Sequence, residues 1–317
     1  MAPTVPPAAT TTTTSTAAEP TEQLPQPTRL SDVKGWFFTA DQWLFDWFLT
    51  HQREQQPAGD LLELGAYLGK SAIFLGSYLK PDETFTVCDL FDSPAPDASN
   101  TREMNRSYAT LTRRAFEANY LSFHPQLPTV IQAPTSAVTD HVAPASCRFV
   151  HVDASHLYEH VHGDIAAARQ LLLPEGIVAF DDFRSEHCPG VAAAVWGAVA
   201  TTGLKPICVT GTKFYGTWGD PAAPREALRA WLKTRRSDLW HGVEEVAGHP
   251  LIRVSDKKAS PPPHPKSRHA AAIPAQRGTT ADAGAPAPAA HPSLARRLAK
   301  DLLPPVLTRA IAARRTS

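Results

Sequence analysis

The acidic residues that follow two apolar runs in the middle of the chain could bind a metal ion. Asp153 follows the run 147–152, and Asp181 and Asp182 close the run that begins at Gly176. In an open α/β sheet, parallel strands place their ligands at the edge formed by their carboxyl ends. Carboxylates that converge there repel one another unless a proton or a cation binds among them, and ligation by oxygen alone favours a hard ion such as Mg²⁺. The sequence therefore predicts a divalent-cation site formed by these three aspartates.

Histidines crowd the same region, at positions 151, 156, 160 and 162. His156 and His160 are four residues apart, which is the spacing of zinc ligands on one helix face. The His-Glu-x-x-His frame of zinc peptidases is absent from the sequence, so zinc is disfavoured. His156 lies just past the end of a predicted strand, where it could act as a general base or bind substrate.

A glycine-containing stretch, residues 60–74, combines an apolar run ending near Glu63 with Gly65, Gly69 and a helix opening at Ser71. A buried strand that turns sharply into a helix needs glycine where no Cβ fits, and the amides of the new helix can bind a polar ligand. The next apolar run ends at Asp89, an acid placed to accept hydrogen bonds from ribose hydroxyls. Together these features indicate a nucleoside-containing cofactor.

Two familiar phosphate-binding motifs do not match this stretch. A Walker A loop has four residues between its first glycine and Gly-Lys-Ser, whereas Gly65 and Gly69 are separated by three, so Lys70 is not expected to bind phosphate. The dinucleotide motif needs a second glycine where this chain has Tyr67, which disfavours a nicotinamide or flavin cofactor. Taken alone, the stretch could also be an ordinary strand–turn–helix corner.

Short apolar runs alternate with helical patterns, which predicts a Rossmann-like, doubly wound α/β fold. Strands are expected at 60–64, 84–88, 128–132, 147–152 and 176–181, and helices near 69–79, 102–120, 157–173 and 189–202. Thr39 is expected to cap an earlier helix whose aromatic residues form core or a lid. The runs 204–210 and 213–218 predict an antiparallel hairpin at the edge of an otherwise parallel sheet. A helix at 224–236 and a strand at 250–254 close the domain.

Composition restricts the class of function. The 317 residues carry no net charge, which favours neither nucleic acid nor an acidic substrate. The four cysteines are scattered without a Cys-x-x-Cys pair, which indicates reduced thiols in a cytoplasmic protein. No apolar stretch is long enough to span a bilayer, and no signal peptide is evident.

The 30 prolines cluster at the two ends and delimit four expected segments. These segments are a disordered tail (1–29), a single domain (30–255), a Pro/Ala-rich linker (256–292) and a basic amphipathic helix (293–317). Such a helix suits peripheral contact with an anionic membrane, contact with a partner, or packing on its own domain. The sequence leaves these alternatives open, together with the oligomeric state, for which a homo-oligomer is one option.

Four motifs carry a resemblance to a known family. The chain resembles the class I S-adenosylmethionine-dependent methyltransferases over residues 35–255, and within them the macrocin-type, Mg²⁺-dependent sugar O-methyltransferases. The motifs are Glu63-Leu-Gly-Ala-Tyr-Leu-Gly-Lys-Ser71, Val-Cys-Asp89, His-Val-Asp153-Ala-Ser-His156, and Phe-Asp181-Asp182-Phe followed by Pro189-Gly190. The chain departs from the family pattern at Tyr67 and at Ala154, where glycine is expected.

The resemblance implies roles for individual residues. It implies that the segment containing Glu63, Gly65, Tyr67, Gly69 and Ser71 cradles the methionine part of the cofactor. It implies further that Asp89 binds the ribose, that Ser136 lies near the adenine, and that Asp153 belongs to the cofactor site as well as the metal site. Finally, it implies that Asp153, Asp181 and Asp182 hold the Mg²⁺ ion.

The expected reaction is Mg²⁺-assisted methylation of a hydroxyl on a sugar, a glycosylated natural product or a glycan, with Asp153 or His156 as the base. Trp36, Phe91 and Phe183 are expected to be packing residues or walls of the site. Three alternatives stay open: a methyltransferase acting on catechol-like molecules, an inactive binding protein of the same fold, and a nicotinamide oxidoreductase, which Tyr67 disfavours.

Overall fold

The computed structural model describes residues 24–55, 58–95, 101, 111–257 and 259–270, which all lie within one compact unit. Its nine-stranded sheet contains β1 (Asp60–Leu64), β2 (Phe85–Asp89), β3 (Thr129–Gln132), β4 (Cys147–Val152), β5 (Leu172–Phe180), β6 (Lys205–Val209), β7 (Phe214–Thr217), β8 (Trp240–Val246) and β9 (His249–Val254). The α-helices described are α1 (Thr39–Gln55), α2 (Lys70–Gly76), α3 (Arg113–Leu121), α4 (Tyr158–Leu171), α5 (Pro189–Thr201) and α6 (Ala222–Arg235).

The strand order is β3-β2-β1-β4-β5-β7-β6-β9-β8, and the first five strands in this order run parallel. Consecutive side chains of β1 and β4 enter apolar clusters on opposite faces of the sheet. Leu61 and Phe149 pack with residues of α1 and α2, whereas Leu62 and Val150 pack with residues of α4 and α5. A parallel sheet covered on both faces needs apolar residues at successive positions, which is the pattern of these runs. The predicted doubly wound α/β fold is confirmed.

The predicted position of the antiparallel hairpin was wrong. β6 and β7 do pair antiparallel, but β7 also pairs with β5 and β6 pairs in parallel with β9, so the hairpin lies inside the sheet. The edge is formed by β8, which pairs antiparallel with β9. The sequence did not reveal β8 because most of its residues are exposed or half-buried, so it lacks the apolar run of a core strand.

The helices agree with the predicted pattern at most positions. The aromatic residues Phe45 and Phe48 of α1 are buried in the core, as the first of the two interpretations proposed. α3 begins after Thr112, whose side chain accepts a hydrogen bond from the Ala115 amide. Most of the earlier part of the predicted helix 102–120 lies outside the described residues.

Hydrogen bonds are also made by residues outside the predicted domain bounds of 30–255. Ser267 donates a hydrogen bond to the Pro27 carbonyl, and the Arg268 amide donates one to the Ser122 carbonyl. Parts of the predicted tail and linker therefore pack on the domain, whereas residues 1–23 and the basic segment 293–317 lie outside the described residues. None of the four cysteines forms a disulfide, and all four are buried. Among the described residues, no helix has the length and apolarity needed to cross a membrane.

Candidate active site

A cavity of about 1480 Å³ opens along the carboxyl edge of the parallel strands. Pockets for a single small ligand measure roughly 300–1,000 Å³, so this cavity has room for a cofactor and a second ligand. Most of the predicted site residues line it: Gly65, Tyr67, Ser71, Asp89, Ser136, Asp153, His156, Asp181 and Asp182. Glu63 and Gly69 do not.

The loop after β1 passes directly over the loop after β4. Gly65 has a φ of 78°, and a Cβ at this position would overlap the Asp153 carbonyl oxygen. Only glycine permits this approach, because other side chains are disfavoured at positive φ and no space remains for one. The glycine loop and the predicted metal-binding acid are therefore held in backbone contact.

Asp89 shapes the same loop. One carboxylate oxygen accepts hydrogen bonds from the amides of Ala66 (2.7 Å) and Tyr67 (3.0 Å), and the other accepts one from Phe91 (2.6 Å). Burial raises the pKa of the Asp89 carboxyl, and these amide hydrogen bonds oppose that rise. Asp89, which was predicted to bind the ribose, therefore fixes the shape of the loop that lines the cavity.

Glu63 lies beneath the loop and is fully buried. Its Oε1 is 2.7 Å from Nδ1 of His151, which is also fully buried. Burial raises the pKa of Glu63 to about 8. The side chain predicted to touch the cofactor thus belongs to a polar chain inside the sheet.

The three predicted metal ligands fall into two groups. Asp153 and Asp181 bring carboxylate oxygens within 4.8 Å of each other and of a His151 ring nitrogen, whereas Asp182 forms a similar group with His156 and Cys188. Asp182 has a φ of 53°, and this left-handed turn separates it from its neighbour in sequence. We call Asp153, Asp181 and Asp182 the acid edge.

The charges of the acid edge are unevenly balanced. Burial and the neighbouring Asp181 carboxylate raise the pKa of Asp153 well above its usual value. Burial acts in the same direction at Asp182, but hydrogen bonds with His156 and Ser185 outweigh it and lower the pKa to about 2. The His156 Nε2 atom lies 2.9 Å from Asp182 Oδ2. The acid edge thus combines a firmly ionised carboxylate with one whose ionised form is disfavoured.

Sequence reasoning missed Lys213, which is 1% exposed and lies just before β7. Its Nζ atom is 2.5 Å from Asp181 Oδ2 and 3.0 Å from His151 Nε2. Burial alone would lower the pKa of Lys213, but Asp181, Asp153 and Asp41 together raise it above its ordinary value. A single lysine in a β-rich run gives no sequence signal that it points inward.

The predicted histidine pair does not share a helix face, because α4 begins at Tyr158, after His156. His160 contacts the Ser155 hydroxyl instead, at 2.9 Å. Of the three candidate wall residues, Phe91 and Phe183 are buried packing residues. Trp36 is 61% exposed, lines the cavity and stacks on Tyr67, with ring centroids 5.9 Å apart.

Comparison with known proteins bears on what this site does. Residues 62–183 match the model of a methyltransferase domain family. The match extends from β1 to the residue after the paired aspartates, so it contains both the glycine loop and the acid edge. No curated protein matches the chain.

Solved structures of methyltransferases are similar to this chain at low identity. A TDP-rhamnose 3'-O-methyltransferase of calicheamicin biosynthesis is 20% identical, with 57% of this chain and 79% of that chain covered and a TM-score of 0.39. The O-methyltransferase NovP is 16% identical, with 56% and 79% covered and a TM-score of 0.46. An O-methyltransferase of tomaymycin synthesis from Streptomyces achromogenes is 15% identical, with 56% and 80% covered and a TM-score of 0.34.

The family match bears directly on the resemblance inferred from the four motifs. It covers the residues of those motifs except Pro189 and Gly190. The match of residues 62–183 to a methyltransferase domain agrees with the predicted resemblance to class I S-adenosylmethionine-dependent methyltransferases.

Proposed function

We propose that the protein transfers a methyl group from S-adenosylmethionine to a hydroxyl of a sugar or glycosylated natural product, with help from Mg²⁺. The observation that carries this proposal is the backbone contact between Gly65 and Asp153. It places a cofactor loop and a set of carboxylates on two sides of one cavity. Methyl transfer needs this arrangement, because most of its catalysis comes from holding nucleophile and methyl group in line.

The residues that line the cavity could contact each part of S-adenosylmethionine in turn. The loop containing Gly65, Tyr67 and Ser71 would receive the methionine part, and Asp89 lies at the cavity wall for the ribose. Ser136 lies in the exposed 3-10 turn after β3, where the adenine would end. The three positions follow the order of the strands β1, β2 and β3 along the edge.

The acid edge fits a hard divalent cation. Its donors are carboxylate oxygens, and a bound cation would offset the burial and the Asp181 repulsion that raise the pKa of Asp153. The three aspartates would hold the ion, with Asp181 sharing its charge between the ion and Lys213. When bound, Mg²⁺ would lower the pKa of a substrate hydroxyl.

Two residues of this chain could remove the hydroxyl proton. His156 is oriented by Asp182, which resembles the pairing of base and orienting carboxylate in other enzymes. Asp153 lines the cavity beside the glycine loop, and its raised pKa suits proton uptake. We assign proton removal to His156, because Asp153 is the carboxylate that the cation would occupy.

The acceptor would bind against Trp36. Its exposed ring lies in a cavity that also contains histidines and carboxylates. Sites with a few polar groups beside aromatic surface suit ligands that have both hydroxyls and apolar faces, as sugars do. Lys70 holds this segment against the cofactor loop by donating a hydrogen bond to the Gly35 carbonyl at 2.7 Å.

The cofactor test is titration calorimetry of the full chain with S-adenosylhomocysteine, with and without Mg²⁺. We expect binding in both conditions. Absence of binding in both would contradict the proposed function.

The acceptor test is methyl transfer from S-adenosylmethionine to nucleotide-activated sugars, glycosides and catechols, with Mg²⁺ or with a chelator. We expect methylated sugars, and loss of most activity with the chelator. Trp36→Ala should raise the KM for the acceptor and leave that for the cofactor unchanged. Leu127→Ala removes another exposed apolar side chain, one that does not line the cavity, and should change neither KM. Methylation of catechols alone would instead support the alternative acceptor class.

A further inference from the structure

Lys213 carries a positive charge in the interior of the sheet. Burying an ammonium group is costly unless it is paired and hydrogen-bonded. Lys213 is 1% exposed, and its Nζ contacts Asp181 Oδ2 at 2.5 Å and His151 Nε2 at 3.0 Å. The contact with Asp181 takes up one oxygen of the acid edge.

These contacts fix the tautomer of His151. An ammonium group can only donate, so the Nε2 atom of His151 must accept from Lys213 and carry no proton. The remaining nitrogen, Nδ1, then carries the proton and donates it to Glu63 Oε1 at 2.7 Å. One hydrogen-bonded chain therefore runs from Glu63, beneath the cofactor loop, through His151 and Lys213 to Asp181.

The turn that carries Lys213 is fixed by a second carboxylate. Asp41, from α1, accepts hydrogen bonds from the hydroxyls of Thr210, Thr212 and Tyr215 at 2.8 to 2.9 Å. The Lys213 amide in turn donates to the Thr210 hydroxyl at 2.8 Å. The lysine is therefore held in place from its backbone as well as from its side chain.

We propose that Lys213 is a positioning residue and a built-in cation of the acid edge. It orients Asp181 and occupies the side of the acid edge that a divalent ion would otherwise share. A divalent ion would then bind the Asp153 carboxylate and the Asp181 oxygen that Lys213 does not contact. The inference deepens the proposed function, since it concerns the same edge, but it depends on charge and geometry rather than on the acceptor.

The test compares Mn²⁺ binding, measured by the electron paramagnetic resonance of the free ion, in the full-length protein and two lysine variants. Lys213→Met should bind Mn²⁺ about tenfold more tightly or more, because a unit positive charge a few ångströms away is removed. Lys205→Met is the matched control, since the Lys205 ammonium donates to the Gly219 carbonyl at 2.9 Å. It should bind Mn²⁺ like the unaltered protein. Equal Mn²⁺ affinities in all three proteins would overturn the proposal.

A second measurement uses the unaltered protein, in case Lys213→Met does not fold. Nitrogen NMR of ¹⁵N-histidine-labelled protein distinguishes the two neutral tautomers of His151. We expect the Nδ1–H tautomer, with Nε2 accepting from Lys213. An Nε2–H tautomer would overturn the proposal, because Lys213 could then not donate to this ring.

The two proposals fail in different ways. If the unaltered protein does not bind S-adenosylhomocysteine, the proposed function fails, whereas the effect of Lys213→Met on Mn²⁺ affinity and the His151 tautomer still decide the role of the lysine. If the cofactor binds but the Mn²⁺ affinities are equal, only the inference about Lys213 fails.

Discussion

Strand β4 has buried charged groups at both of its ends, and these groups are paired with opposite charge to different extents. At the amino end, Arg148 is fully buried and its guanidinium donates to both oxygens of Glu83 at 2.9 Å. It also donates to the Gln52 side chain at 3.2 Å and to the Tyr78 carbonyl at 2.9 Å. Burial raises the pKa of Glu83, but the hydrogen bonds with Arg148 outweigh it and lower the pKa below its ordinary value.

At the carboxyl end, acids outnumber the cation that contacts them. Lys213 balances Asp181, but Asp153 and Glu63 keep raised pKa values. A buried polar group without full compensation costs stability, so this end stores an unfavourable charge that a ligand can relieve. The comparison indicates that the buried charges at the amino end of the strand stabilise the fold, whereas those at the carboxyl end serve the candidate active site.

The largest expected effect is on catalysis, at Asp153. Asp153→Asn should reduce kcat by about 10²–10⁴-fold, the range of an active-site group that handles a proton or its charge. The melting temperature near pH 8 should rise, because the substitution removes a carboxylate whose ionised form is disfavoured. Steady-state kinetics and thermal unfolding check the two halves of this prediction.

Asp140→Asn is the control, since Asp140 is exposed and does not line the cavity. It should change neither quantity. If the Asp153→Asn protein were as active as the parent, the inference that the carboxyl end of β4 serves catalysis would be contradicted.

The next effect is on stability, at Arg148. Arg148→Met should lower the free energy of unfolding by about 3–5 kcal/mol, because it leaves the Glu83 carboxylate buried without its partner. Urea unfolding measures this loss. At low temperature the folded variant should still bind S-adenosylhomocysteine, because Arg148 lies at the other end of the sheet from the cavity.

The exposed pair of Arg229 and Glu226 provides the control for that experiment. Arg229→Met should leave the urea midpoint unchanged, since solvent screens exposed ion pairs. If Arg148→Met shifted the midpoint no more than Arg229→Met, the amino end would not be the stabilising one.

The sequence predicted the strands and the acids at their ends, but it did not predict which buried charged residues contact one another. Strand positions, Gly65 and the acids at the strand ends follow from local patterns of apolar residues, glycine and charge. Arg148 and Glu83 are 65 residues apart, and Lys213 and His151 are 62 apart. No local pattern links such residues, because their contact depends on the packing of whole strands.

In the acid edge, even residues adjacent in the chain have contact partners that the sequence did not predict. Asp181 and Asp182 are adjacent in the chain and were predicted to bind one ion together. The left-handed backbone of Asp182 turns its side chain towards His156 and Ser185, whereas Asp181 contacts Lys213. Adjacent residues at a strand end can thus face different partners, and only the backbone conformation decides which.

A smaller effect is expected at Asp89, on cofactor affinity. Asp89→Ala removes the acceptor of the Ala66, Tyr67 and Phe91 amides, so the loop should lose its fixed shape. Affinity for S-adenosylhomocysteine should fall by about 10–100-fold, which corresponds to losing roughly one charged hydrogen bond. Asp92→Ala, at an exposed neighbour that contacts Gln132, should have little effect in the same calorimetric titration. Equal losses in both variants would show that the loop depends on local charge rather than on the Asp89 hydrogen bonds.

The smallest effect separates the cost of burying an acid from the cost of crowding acids. Asp164, on α4, is 2% exposed, and burial raises its pKa to about 6. Because this folded-state pKa lies above the ordinary value, its contribution to stability is present below about pH 4 and is lost as the pH rises through 6. Relative to Asp164→Asn, the unaltered protein should therefore lose on the order of 1–3 kcal/mol of unfolding free energy between about pH 4 and pH 7.

Urea unfolding of both proteins across that pH range measures the difference, and Asp140→Asn should give a curve parallel to that of the unaltered protein. Asp164 is not part of the acid edge, and burial raises its pKa against the opposing effects of a Thr135 hydrogen bond and His160, so its pH dependence reports burial without crowding by carboxylates. Asp153→Asn measured in the same way should show a larger difference, because the Asp181 and Asp182 carboxylates add repulsion to burial. If the two variants instead gave equal pH dependence, burial would account for the raised pKa of Asp153. In that case the carboxylates at the carboxyl end of β4 would not repel one another measurably, and a bound cation would have no such repulsion to relieve.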